Sequence, residues 1–422
     1  MKRCPECRRD YYDDSLSYCL DDGSALVEGP ASGNAPTVLF SERDLRKREN
    51  RPTTLLLVRA LIGIIGIVLI VGGGYWLLSR SWRGKSGASP AVYDNYIRAK
   101  VLVSKENRDD VDDAIKLMQQ TVSDDPQYAA AWATLAHAYH IKAFYFATAA
   151  DERKQLSENE EIAVERSLAI DPDLAEGHYA RGLMLWTHAK RFPHEQAIQS
   201  FKRALAIDPN LDDAHQQLGL IYMHLGLFDK ALAELGKALE INPANTSARL
   251  RTGVVYLYRG KYEDAYSVFS STPLQQNPSL LAFQTATALF ELGRDDEASA
   301  LIEKYLTEYP NDEGGVGTSV KAMILAKAGR TADAEAAITH AEEIGPDFGH
   351  FHHTAYNIAS AYALMKKPDK AVDYLQIAAD DGFPCYPLFE NDEVFKHMRD
   401  NTRFVALLAR LKQQWERYNA TL

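Results

Sequence analysis

Residues 218–243 read LGLIYMHLGLFDKALAELGKALEINP, and this stretch decides the fold. Apolar residues recur at helical spacing on both sides of Gly226, which predicts two amphipathic helices. Gly226 is placed to end the first helix in a left-handed conformation, and Pro243 cannot continue the second helix. Gly219 and Ala231 are small, so the two helices can approach each other closely there. The stretch therefore predicts a helical hairpin.

The hairpin pattern returns at a fixed period. The ending Ala-Leu-x-Ile-Asp/Asn-Pro occurs at Pro209 and Pro243, which are 34 residues apart, and a Ser-Leu version ends at Pro172. Weaker copies end at Pro126, Pro278, Pro310 and Pro346. Because one hairpin cannot bury its apolar face alone, neighbouring units must stack, and stacking of such units gives a curved solenoid.

These spacings resemble the tetratricopeptide repeat. Residues 218–231 and 253–265 carry the resemblance most clearly, with Leu-Gly-x-x-Tyr or Gly-x-x-Tyr followed by Gly-x-aromatic-x-x-Ala. The signature extends from residue 95 to about residue 380 in roughly eight units. The resemblance implies an all-α fold, a superhelical solenoid of about eight helical hairpins.

Both ends of the repeat region carry a further resemblance. Residues 381–408 and 93–100 are similar to the end and the start of the repeat regions of bacterial Ser/Thr kinases, adenylate cyclases and membrane-bound transcription regulators. The kinase, cyclase or winged-helix domain of those proteins is missing here. The resemblance therefore implies a sensory or scaffolding protein and no enzyme. In agreement, the sequence has no Gly-rich phosphate loop, nucleophile elbow or His-Glu-x-x-His motif.

Three of the four cysteines lie in the first nineteen residues. Cys4 and Cys7 form a Cys-x-x-Cys turn, and thiolates at this spacing can bind one tetrahedral ion. Cys19 follows, and Asp22 stands where a second Cys-x-x-Cys would place its fourth ligand. The segment resembles the short zinc ribbons at the start of many bacterial membrane and signalling proteins. The sequence thus predicts a structural Zn²⁺ ion on Cys4, Cys7, Cys19 and Asp22; the alternative is a degenerate ribbon without metal.

An uncharged stretch of nineteen residues runs from Ala60 to Leu78. Its length nearly crosses a hydrocarbon core of roughly 30 Å, which predicts one transmembrane helix over 54–79. Basic residues are more numerous before the stretch than after it, which favours a cytoplasmic N-terminus. We therefore expect a single-pass protein of the cell inner membrane with its repeats on the periplasmic, extracytoplasmic side.

These features divide the chain into six parts. The expected parts are a zinc-ribbon-like segment at 1–28, a flexible basic linker at 29–53, the transmembrane helix at 54–79, a linker at 80–92, the repeat array at 93–385 and a C-terminal capping helix region at 386–422. Acidic residues outnumber basic ones by 58 to 47, and the net charge of −11 argues against binding to nucleic acid.

In a tetratricopeptide array the first helices line the concave side, so their positions not used for packing predict a partner-binding groove. Counting from four repeat starts gives His137, His140, Tyr179, Trp186, Gln216, Met223, His224, Leu250, Leu257 and Tyr258. Aromatic, Met and polar groups in one channel suit an extended peptide or a partner helix. The alternative is that these side chains partly pack against neighbouring helices.

His350, His352 and His353 form a second cluster. No cysteine or carboxylate pair stands near them in sequence, so a half-exposed helix start is expected instead of a metal site. The whole pattern predicts a membrane-anchored scaffold or adaptor for protein–protein interactions. The alternative is a receptor whose array binds a peptide or small ligand and signals through the N-terminal tip to a cytoplasmic regulator.

Overall fold

The computed structural model of the protein describes residues 2–3, 10–11, 27–28, 89–105, 107–147, 149–272, 278–345 and 349–422. The chain divides into two compact units, Met1–Leu78 and Ser79–Leu422, and each unit is described by itself.

The described part of the first unit is a small antiparallel sheet. Its strands are β1 (Lys2–Arg3), β2 (Asp10–Tyr11) and β3 (Val27–Glu28), in the order β2-β1-β3. Lys2 pairs with Tyr11 on one side and with Glu28 on the other. The expected zinc ligands Cys4, Cys7, Cys19 and Asp22 lie outside the described residues, so zinc binding there stays a prediction.

The second unit is built from helices, of which the described residues contain eighteen α-helices of six residues or more. They are α1 (Pro90–Val103), α2 (Arg108–Asp124), α3 (Ala129–Ile141), α4 (Ala150–Ile170), α5 (Ala175–Leu185), α6 (His194–Ile207), α7 (Asp212–His224), α8 (Phe228–Ile241), α9 (Thr246–Tyr258), α10 (Tyr262–Ser270), α11 (Pro278–Glu291), α12 (Asp295–Glu308), α13 (Val316–Lys327), α14 (Thr331–Ile344), α15 (Phe351–Leu364), α16 (Pro368–Asp380), α17 (Tyr386–Asn391) and α18 (Thr402–Thr421). The helices α1 to α16 form eight consecutive packed pairs. The prediction of an all-α repeat solenoid is confirmed for this unit.

The pair α7–α8 shows why the sequence pattern gives a hairpin. A β-carbon added to Gly219 would lie 2.6 Å from Leu235 Cγ, so only glycine allows the two helices this approach. Gly226 has a φ of 71°, and the next residue, Leu227, donates its N–H to the Tyr222 carbonyl at 2.8 Å. This turn closes the first helix and directs the chain into α8.

The C-terminal segment returns to the middle of the array. Trp415 Nε1 on α18 donates to the Gly226 carbonyl at 3.1 Å, and Lys230 Nζ donates to the Asn419 carbonyl at 3.0 Å. Between α16 and α17, Cys385 Sγ lies 3.7 Å from the Met223 carbonyl. The end of the chain therefore contacts α7 and α8, about 160 to 190 residues earlier.

The expected membrane location is wrong by the criterion of helix length and apolarity. Within the described ranges, every helix is too short or too polar to cross a bilayer. The two that reach twenty residues, Ala150–Ile170 and Thr402–Thr421, are interrupted by charged side chains, which are costly in hydrocarbon. The inner-membrane, extracytoplasmic location is therefore withdrawn. The stretch expected to span, residues 54–79, lies outside the described residues.

Candidate partner-binding surface

The ten groove residues predicted from sequence differ in exposure. Three remain half-buried, namely His137, His140 and Tyr258. Seven are buried, namely Tyr179, Trp186, Gln216, Met223, His224, Leu250 and Leu257. Most of the expected groove is thus covered by other parts of the same chain.

The N-terminal part of the surface holds His137, His140 and Tyr179. The His137 ring meets the Tyr179 ring edge-on at 5.3 Å between centroids, and burial lowers the pKa of His137 to about 3. His140 Nδ1 lies 3.0 Å from Glu160 Oε1. Since each of these polar groups already has a partner on a neighbouring helix, this part of the surface is internally bonded.

The middle of the surface is covered by the segment between α16 and α17. Phe383, which is fully buried, packs against His224 and Tyr258 with ring centroids 5.5 Å away in each case. Trp186 Nε1 donates to His194 Nδ1 at 2.9 Å, and its ring meets His224 edge-on at 5.0 Å. The C-terminal segment thus occupies the place where the sequence predicted an open channel.

A pocket of about 390 Å³ remains beside this covered region, where α9, α11 and α15 face α17. It is lined by Phe228, Leu257, Tyr258, Arg259, Gly260, Lys261, Tyr262, Phe283, Gln284, Thr287, Glu291, His353, Tyr356, Asn357, Pro387, Leu388, Asn391 and Asp392. Of the ten predicted groove residues, the pocket contains Leu257 and Tyr258. Its walls are aromatic, and its polar groups are concentrated on α11 and at the end of α17.

Two carboxyl groups define the electrostatics of this pocket. Burial and then the nearby charge of Asp392 raise the pKa of Glu291 to about 8. Burial also raises the pKa of Asp392, although this carboxylate accepts hydrogen bonds from the Tyr356 hydroxyl and from Val394 N–H. Both groups therefore hold protons more tightly than exposed carboxylates do, and a cation placed between them would release protons.

The other polar groups at the pocket differ in whether they have an interaction partner. The guanidinium of Arg259 binds Asp229, and Lys261 Nζ lies 5.8 Å from the centre of the Tyr256 ring. Gln284 is 1% exposed, and its amide oxygen has no hydrogen-bond partner among the described residues. An unpaired buried oxygen and two carboxyl groups make this pocket a site for a hydrogen-bond donor or a cation.

The repeat pattern identifies Glu291 as an inner-surface residue, but its repeat is not one of the four from which the groove residues are counted. His224, Tyr258 and Glu291 each stand two residues before a glycine with positive φ that follows the first helix of its pair. They are therefore equivalent repeat positions, on α7, α9 and α11. Asp392 and Tyr356 carried no such signal, because they reach the pocket from the C-terminal segment and the eighth pair.

The structure corrects the expectation for the C-terminal histidines. His352 is fully buried and does not lie at a half-exposed helix start, whereas His350 and His353 are half-buried. Chain folding also brings His224 to them, and one ligand atom from each of the four imidazoles lies within 4.8 Å of the others. Burial and the other imidazoles lower the pKa of His224 well below its ordinary value. The sequence does not indicate this cluster, because His224 and His350 are 126 positions apart.

Consecutive stacked helical pairs define the class of the second unit as an α-solenoid. Residues 194–249 and residues 281–312 each match the description "Tetratricopeptide repeat". The chain is therefore a protein that contains tetratricopeptide repeats, a fold that generally serves as a non-catalytic interaction scaffold. None of the curated proteins matches the chain.

Solved structures share this fold at low sequence identity. A Rap protein complexed with Competence and Sporulation Factor is 12% identical, with a TM-score of 0.59 over 78% of this chain and 99% of that chain. A tetratricopeptide repeat protein from Parabacteroides merdae is 19% identical, with a TM-score of 0.42 over 67% of this chain and 100% of that one. Yeast Tom70 is 14% identical, with a TM-score of 0.39 over 78% and 69% of the two chains. The similarity to the Rap protein is a similarity of fold.

Proposed function

We propose that this protein is a scaffold that binds a protein or peptide partner by taking a basic side chain of that partner into the pocket between α9, α11, α15 and α17. The observation that carries this proposal is the pair of carboxyl groups, Glu291 and Asp392, inside an aromatic-walled pocket of about 390 Å³. A lysine or arginine side chain combines an apolar stem with a cationic head, so it fits aromatic walls and an acidic floor together.

Two further features support a side chain as the ligand. The two basic residues in the lining, Arg259 and Lys261, already interact with Asp229 and with the Tyr256 ring. The unpaired amide oxygen of Gln284 offers an acceptor for an ammonium or guanidinium N–H. The pocket therefore provides charge, an acceptor and apolar contact for one cationic group.

The proposal is tested by selecting peptides from a random displayed library on the full chain. We expect enrichment of peptides with a lysine or arginine that norleucine cannot replace. Their affinity should rise from pH 6 to pH 9, because cation binding displaces the protons that the carboxyl groups hold in the free protein. Glu291→Gln should weaken binding by roughly tenfold or more, as for a lost buried charge pair.

The matched control is Glu308→Gln, which removes the same charge from an exposed position on α12. It should leave peptide affinity unchanged. The proposal fails if the selected peptides have no basic residue in common, or if they bind the Glu291→Gln protein as tightly as the parent.

A further inference from the structure

The four histidines His224, His350, His352 and His353, here called the four-histidine cluster, come from two distant parts of the array. His224 is the last residue of α7, in the fourth helix pair, and the other three lie at the start of α15, in the eighth pair. Their ring centroids are 4.5 to 5.9 Å apart, and one ligand atom of each lies within 4.8 Å of the others. Four imidazoles thus lie close enough together to share one ion.

The closest nitrogens already have nearly the spacing that a bound metal ion requires. His350 Nδ1 and His352 Nε2 are 3.1 Å apart. Two nitrogens bound to one tetrahedral zinc ion at about 2.0–2.1 Å stand about 3.3 Å from each other. An ion can therefore take the place of the proton that these two nitrogens share, and the other two rings, whose ligand atoms lie within 4.8 Å, would move closer to complete the coordination.

The surroundings orient the rings as they do in known metal sites. His224 Nδ1 donates to the Leu220 carbonyl at 2.8 Å, which leaves Nε2 as the nitrogen with a lone pair. This Nε2 is buried and has no hydrogen-bond partner among the described residues. His353 Nδ1 lies 3.3 Å from the Tyr258 hydroxyl, and His352 Nδ1 lies 3.4 Å from Asp381 Oδ2, which is ion-pair distance without a formed hydrogen bond. Histidines that bind metals are typically held in this way by a carbonyl, a carboxylate or another polar group.

We propose that the four-histidine cluster is a binding site for a divalent transition-metal ion, with Zn²⁺ as the ion that its four nitrogens fit best. Imidazole nitrogens bind zinc, copper and nickel, and four ligands in a tetrahedral arrangement favour zinc. Four protein ligands leave no open position for water, so the ion is structural. It joins the fourth helix pair to the eighth.

The charge balance of the site is compatible with a cation. Asp381, next to His352, supplies a carboxylate immediately outside the ligands and also binds His188. Arg251 is close enough to His350 to act on it electrostatically, so one positive charge opposes the ion. A buried nitrogen without a hydrogen-bond partner destabilises the folded state, and coordination of His224 Nε2 would relieve this cost.

The test uses the full chain with Cys4, Cys7 and Cys19 changed to serine, so that the N-terminal segment cannot contribute thiolate ligands. After metal removal, titration with zinc chloride should show one bound equivalent and a rise in the thermal unfolding temperature. The His350→Ala/His353→Ala double variant replaces the two half-buried ligands and should lose this binding. His340→Ala, which removes an exposed histidine of α14, should retain it.

A second measurement keeps the test decisive if the double variant does not fold. X-ray absorption of the zinc-loaded serine variant should show nitrogen ligands with the outer scattering of imidazole. Asp381→Asn should weaken zinc affinity by about 10- to 100-fold, as expected when an outer partner of a ligand is lost. The proposal is overturned if the serine variant binds no stoichiometric zinc, if a folded double variant binds zinc as tightly as its parent, or if the bound zinc has no imidazole ligands.

Discussion

Among single residues, one position of the repeat supplies three of the side chains that form the four-histidine cluster and the acidic pocket. The residue two before the helix-ending glycine is His224 on α7, Tyr258 on α9 and Glu291 on α11. The first contributes to the four-histidine cluster, the third to the acidic pocket, and Tyr258 contacts both. One position in a repeated unit thus supplies different chemistry in each copy.

Glu291 gives the sharpest prediction at this scale. Its pKa is about 8 in the folded protein and near 4.5 in the unfolded chain, so the folded state binds the proton more tightly. Its contribution to stability is present below about pH 4.5 and is lost as the pH rises through 8. Glu291→Gln should therefore raise the free energy of unfolding relative to the parent by about 1–3 kcal/mol at pH 9 and by much less at pH 5.

Urea denaturation of both proteins at pH 5, 7 and 9 measures this difference. Glu308→Gln, at an exposed position, should show no comparable change of the difference with pH. A constant difference between Glu291→Gln and the parent at all three values would contradict the assigned burial of the carboxyl group.

At the scale of elements, the helix pairs could be read from the sequence because their causes are local. Gly219 is required by the close approach of its partner helix, and the positive φ of Gly226 is required by the turn that follows α7. The same reading failed for Met223 and Trp186, which were expected to face an open channel and are buried. Met223 is contacted by Cys385, which lies 162 positions further along the chain, and Trp186 contacts His350, which lies 164 positions further along, so the spacing within one repeat does not predict either contact.

Alanine substitutions at Gly226 and Gly293 distinguish the cost of the backbone conformation from the cost of a clash with a distant residue. Both follow the first helix of a pair with φ near 70°, so alanine at either position costs about 1–2 kcal/mol in backbone conformation. At Gly226 the new β-carbon would also lie 2.5 Å from Pro387 Cδ, whereas at Gly293 no atom of the described residues stands within 4 Å. Gly226→Ala should therefore be more destabilising than Gly293→Ala by about 1–3 kcal/mol, the usual cost of overpacking.

Chemical denaturation of the two variants gives this comparison directly. Equal losses in the free energy of unfolding would mean that the segment carrying Pro387 moves away from the new methyl group without a free-energy cost. Its contact with the turn after α7 would then contribute little to stability.

In the second unit as a whole, the returning C-terminal segment makes the stability of the middle of the array depend on the end of the chain. In an open array each pair contacts only its neighbours, so a local change is felt locally. Here Trp415, Cys385 and Lys230 take part in contacts between the end of the chain and α7 or α8. Repeat periodicity predicts that neighbouring pairs stack. It does not predict these contacts, because they depend on single residues outside the repeated pattern.

Trp415→Ala tests this sharing of stability. The change removes the hydrogen bond to the Gly226 carbonyl at 3.1 Å and the contact with the Tyr386 ring at 5.9 Å. Since Trp415 is only partly buried, the loss should be about 1–3 kcal/mol, below the range for a fully buried tryptophan. Because the partner is the turn between α7 and α8, amide hydrogen exchange should become faster in those two helices, almost 190 positions away in sequence.

Leu306→Ala is the matched control, since Leu306 is also partly buried but lines a separate pocket with residues of α13 and α14. It should accelerate exchange around α12 to α14 and leave α7 and α8 as they are. If Trp415→Ala instead changes exchange in α18 alone, the C-terminal segment only covers the array and does not stabilise it. In that case the inner surface would be free to open without unfolding, and His224 and Met223, which Phe383 and Cys385 contact, would become accessible to a partner when the segment leaves.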